Sequence, residues 1–98
     1  MTTMQSTQVA RAEAALESLF AFETMCAVAL SKHGKCRTAA EMFRQLASHA
    51  ELVAENSVVL SRVAEARGEE AAAVAEWKVV CCATTVAEVA RRRLAQCA

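Results

Sequence analysis

Across 98 residues this chain has no proline and only two glycines, Gly34 and Gly68. These residue types end helices and form the turns between strands, so the chain has little from which to build a β fold. Its 23 alanines favour helix, and three phenylalanines and one tryptophan supply few of the aromatic side chains that strands use. The expectation is an all-α fold.

Ninety-eight residues make one domain at most, burying roughly 60–70% of the surface the unfolded chain exposes. Apolar residues at 55% and zero net charge support a core and argue against disorder. Eleven basic and eleven acidic residues give no case for nucleic acid, which is bound through a basic excess. The longest uncharged apolar run, Val79 to Ala87, is nine residues, short of the roughly 18–20 that span a bilayer. MTTMQSTQVAR lacks the basic start and apolar block of a signal peptide. A cytoplasmic protein without membrane insertion is expected. The five cysteines (Cys26, Cys36, Cys81, Cys82, Cys97) are odd in number, and most fall where a helix carries apolar residues. They are expected as small, reduced hydrophobes.

In chain order, residues 1–6 are small and polar and are expected to fray. Apolar residues at spacings of three and four, from Val9 through Leu16 to Leu30, predict a first helix from about Thr7 to His33, with a break allowed near Ser18. Gly34 stops it, with Lys32 and His33 in its last turn. A second helix is expected from Cys36 or Thr38, where Thr38-Ala39-Ala40-Glu41 fits a capping box, to near Glu51. Asn56 or Ser57 would open a third, which Gly68 stops. A fourth would run from Glu69 to about Ala83, and Thr85-Val86-Ala87-Glu88 would cap a fifth.

A shift of 34 residues aligns Gly34 with Gly68, Ala39 with Ala73, Phe43 with Trp77 and Leu46 with Val80. It also aligns Cys26-Ala27 with Leu60-Ser61 and then Leu94-Ala95. This layout resembles the tetratricopeptide repeat, a helix–turn–helix unit of 34 residues with an A-x3-F pair. That pair stands here as Ala39/Phe43 and Ala73/Trp77. Glu23 and Ser57 replace the family's first-helix aromatics, and Glu51 and Thr85 stand where it has proline. The resemblance implies an N-terminal tail and capping helix over residues 1–19 and a repeat domain over 20–98. Hairpins would lie at about 20–53 and 54–87, with a terminal helix at 88–98, in a short right-handed stack. Repeat packing would rest on Cys26, Ala27, Ala39, Phe43, Leu60, Ser61, Ala73, Trp77 and Leu94. A plain helical bundle is the alternative.

The same resemblance implies a concave groove lined by Thr24, Val28, Ser31, Lys32, Val58, Arg62, Glu65 and Arg92, fit for an amphipathic helix of a partner. In length and repeat number the chain is similar to the small chaperones of type III secretion. A member of that group would hold a small helical secreted subunit in the cytoplasm, with or without a co-chaperone. A structural adaptor or homo-oligomeric bundle is the alternative. No catalytic residue, metal ligand set or cofactor site is expected. His33 and Cys36 straddle Gly34, and adjacent Cys81 and Cys82 point about 100° apart on a helix. Arg91-Arg92-Arg93 suits a helix C-terminus, Glu65, Glu69, Glu70 and Glu76 suit a wet face, and the repeat would put Trp77 in the core.

Overall fold

The computed structural model describes residues 2–33 and 37–97. Three long helices make up almost all of it: α1 (Thr3–His33), α2 (Arg37–Ala66) and α3 (Glu70–Cys97). The fold is all-α, as the scarcity of glycine and proline requires. The five helices expected as stacked hairpins are replaced by these three. Helix α1 is continuous through Ser18 and through residues 19 and 20. No break occurs at Glu51–Asn56 or at Ala83–Thr85.

The physical reason lies in the side chains taken for caps. A Ser, Thr or Asn starts a helix only where the backbone leaves helical geometry, and nothing between residues 37 and 66 or 70 and 97 forces it to leave. Thr85 donates instead to the carbonyl of Cys81, one turn back within α3 (2.9–3.1 Å is the range of such bonds here; this one is 3.1 Å). Ser57 is buried in the middle of α2. At the N-terminus α1 begins at Thr3, within the stretch expected to fray, and the Thr2 hydroxyl accepts from the Gln5 N–H and caps it.

The one described turn is fully specified. Gly68 adopts φ +70°, its N–H donates to the Glu65 carbonyl, and the Glu69 N–H donates to that of Ala64. This is the paired bonding that closes a helix on a left-handed residue. The expected stop at Gly34, together with Cys36 and the His33 side chain, lies outside the described residues.

Burial along each helix alternates in steps of four and three. In α1 it falls on Gln5, Ala12, Leu16, Leu19 and Cys26; in α3 on Ala72, Glu76, Val79, Ala83, Val86 and Ala90. In α2 Phe43, Ala50, Ser57 and Ala64 recur at sevens, with Leu46 between and Ala39 one turn before. A sustained seven-residue pattern is the mark of helices packed nearly parallel over their full length. Accordingly the molecule is a rod of 47 × 18 × 13 Å, and about 30 residues at 1.5 Å rise supply that length.

Helices α1 and α3 run parallel: Gln5 bonds to the Ala72 N–H, and Ala12 clusters with Val79. Helix α2 runs against both. The α2–α3 interface is the most extensive, since Ala47, Ala50, Ala83, Ala87 and Ala90 let these helices approach closely. The main core, with Leu19, Cys26, Phe43, Leu46 and Val86, sits toward the C-terminal half of α1. There Phe22 also meets His49 of α2, ring centroids 6.1 Å apart. Toward the N-terminal half of α1 the core shrinks to Ala12, Leu16 and Val79.

Candidate functional site

That thinning of the core opens a groove between α1 and α2. Its α1 wall carries Met4, Gln8, Arg11 and Ala15; the facing wall carries Val53, Asn56, Leu60 and Val63 of α2 and Arg67 just past its end. Both rows advance in steps of three and four, the spacing of a helix-packing seam. Apart from Met4 the residues of α1 here are polar or small, and the space between the helices, about 600 Å³, stays open. Met4, Leu60 and Val63 remain exposed along it.

Glu76 of α3 reaches the floor of this groove beside Ser57. It is only 3% exposed. The ion pairs among the described residues are Glu41–Arg44 and Glu51–Arg91, and no hydrogen bond joins the Glu76 carboxylate to another described side chain. Among the described residues no side-chain oxygen is sealed away without a partner, so the carboxylate keeps some contact with solvent, and Glu76 lines this groove. Arg11 and Arg67 line the groove without pairing to it.

A second groove lies at the turn end of α2 and α3, about 670 Å³, lined by Glu65, Glu70, Val74 and Trp77. Ser61 at its base donates to the Ala73 carbonyl across the helix pair (2.9 Å). A third, about 690 Å³, runs between the C-terminal halves of α1 and α3 over Phe43 and Leu46, with Arg93 at its edge.

The residues expected to form one concave groove are distributed over the rod. Thr24, Val28 and Ser31 border the third groove, and Glu65 borders the second, near the opposite end. Lys32, Arg62 and Arg92 are exposed and Val58 is half-buried. Without the stack of hairpins there is no common concave face to gather them. Of the residues expected to pack the repeat, Cys26, Ala39, Phe43 and Ser61 are buried, Ala73 and Leu94 half-buried, and Ala27, Leu60 and Trp77 exposed. The aligned pair Phe43 and Trp77 occupy unlike surroundings, 3% against 54% exposed.

Among the acidic series, Glu65 and Glu70 are exposed, Glu69 is half-buried and Glu76 is buried. The sequence did carry a signal for Glu76, its place in the row Ala72-Glu76-Val79-Ala83. Among the described residues no group of three His, Cys, Asp or Glu side chains is placed to hold a metal ion. Cys26 is buried, Cys82 and Cys97 are half-buried and Cys81 is exposed, all as free thiols. Burial, and then the nearby Glu23 carboxylate, push the Cys26 thiol above its ordinary range, which keeps it protonated and unreactive.

Helix α1 has a further property that a search for uncharged runs overlooks. Thr3–Lys32 is long and apolar enough to cross a membrane by length and composition, with a mean hydropathy of 1.4 over a stretch that is 17% buried in the fold. Its apolar side chains extend round the helix, leaving Phe20, Met25 and Val28 exposed. No protein-family model, curated protein or solved structure matches the chain.

Proposed function

We propose that this chain is a non-enzymatic, cytoplasmic protein-binding module that receives an amphipathic helix of a partner in the α1/α2 groove, completing a four-helix bundle. The observation that carries the reading is the pair of facing rows, Met4-Gln8-Arg11-Ala15 and Val53-Asn56-Leu60-Val63-Arg67, spaced for a helix that this chain does not supply. The rows span about 17–21 Å at 1.5 Å per residue, room for some three turns.

A chaperone holding the helix of a secreted subunit is one form of this proposal, and a structural adaptor is another.

The test uses the full chain and a 14-residue peptide with an apolar heptad face. Saturable binding is expected, with amide exchange slowed in residues 4–15 and 53–67, and Val63→Asp should abolish it while helicity is kept. Absence of binding, or binding indifferent to Val63→Asp, removes the groove assignment. A mass that rises with concentration for the chain alone, reversed by Val63→Asp, would make the occupant a second copy.

The apolar circumference of α1 favours a second reading, in which α1 inserts into a membrane. Flotation of the purified chain with phosphatidylcholine vesicles that withstands a carbonate wash would support that reading; a chain left wholly in the dense fraction would end it.

A further inference from the structure

Resting on the helix-docking reading, we infer that Glu76 selects the partner: the helix that fills the α1/α2 groove carries a lysine or arginine at the centre of its apolar face. A carboxylate taken out of water is strongly disfavoured unless a cation or several hydrogen bonds accompany it. Glu76 is already nine-tenths and more buried, and it lines the groove, which gives its carboxylate a route to solvent. A helix seated between Met4 and Ala15 on one side and Val53 and Arg67 on the other would close that route. A partner with an uninterrupted apolar face would therefore strand the charge, whereas one basic side chain in register with Glu76 would pair with it. Arg11 and Arg67, on the two walls, set the flanks in the opposite sense and suit acidic residues beside the partner's apolar face. The recognised segment is an amphipathic helix of about three turns, basic at its apolar centre and acidic at its edges.

This arrangement discriminates against ordinary apolar helices as well as favouring the right one, which is how a buried polar group contributes specificity.

The experiment compares two synthetic 14-residue helical peptides with glutamate flanks, identical but for Lys or Met at the central apolar position. Their affinities for the full chain are measured by calorimetry. Wild type is expected to bind the Lys peptide at least ten-fold more tightly, about 1.4 kcal/mol. Glu76→Gln, which keeps the side-chain shape, should erase the preference, and Glu76→Met should reverse it. Circular dichroism of both variants confirms that the fold is kept. Equal binding of the two peptides by wild type overturns the role of Glu76 and leaves helix docking standing; no saturable binding of either removes both. Thermodynamic coupling between Glu76→Gln and Arg11→Met in the unbound chain would show that Glu76 already has its cation within the chain, which also overturns the inference.

Discussion

The turn at Gly68 offers the sharpest quantitative test of this fold. Its φ is +70°, and a Cβ built there meets no atom within 4 Å. Substitution by L-alanine therefore introduces no clash, and its whole effect is conformational. Holding an L-residue in the left-handed region costs about 1–2 kcal/mol. Restricting the unfolded chain returns about 0.4–1 kcal/mol. The net loss expected for Gly68→Ala is about 1 kcal/mol, or roughly 4–8 °C in Tm for a domain of this size. D-alanine at the same position reverses the first term and keeps the second, so it should stabilise by about 0.5–1 kcal/mol. Semisynthetic chains carrying each enantiomer, compared by urea denaturation, give the two values on identical compositions. If both enantiomers shift the midpoint in the same direction, the turn is not the left-handed closure described, and the hairpin of α2 and α3 needs another explanation.

Gln5→Ala should cost about 1–2 kcal/mol, because it strands the buried Ala72 N–H that Gln5 satisfies; amide exchange at Ala72 should rise with it. Leu19→Ala should cost about 3 kcal/mol by chemical denaturation, as Leu19 is fully buried in the main core, whereas exposed Val28→Ala should change stability by under about 0.5 kcal/mol. Alkylation at pH 8, followed by mass spectrometry, should label exposed Cys81 before Cys26, whose raised thiol pKa and burial delay it until unfolding. Glu76→Leu should raise the stability of the free chain by about 1 kcal/mol while destroying any preference for a basic peptide.

The helical character of the chain was legible because it depends on what is missing: without proline, and with one glycine in each gap between the helices, few positions allow a break. Helix number was not legible, because Asn56, Ser57 and Thr85 look like caps in sequence and lie within helices in the fold. Whether such a residue caps or continues depends on tertiary burial, and the seven-residue rows that run through Ser57 and Val86 carry the helices past them. The 34-residue match failed for a related reason. In an alanine-rich chain many shifts bring small residues into register, so size alone does not report which face of a helix is covered. Ala39 is fully buried and Ala73 half-buried, and Phe43 lies in the core while Trp77 faces solvent.

Glu76 and Trp77 concentrate the difficulty of reading the site. Sorted by hydrophobicity, Trp77 belongs inside and Glu76 outside, yet the fold places Glu76 at 3% exposure and Trp77 at 54%. The two lie about 100° apart on α3, and a rotation by that angle would correct both. It would also turn Ala72, Val79, Ala83, Val86 and Ala90 away from the partner helices they now pack against. Five positions outweigh two, so the carboxylate is carried inward by its neighbours in the row. Inversions of this kind persist where a function offsets the local loss. Here the inverted pair leaves a carboxylate on the floor of one groove and a tryptophan on the wall of another. Replacing the pair to follow hydrophobicity, with Glu76→Leu and Trp77→Glu together, should therefore yield a more stable rod with its basic-helix preference gone. A double variant that kept that preference would place recognition elsewhere on the molecule.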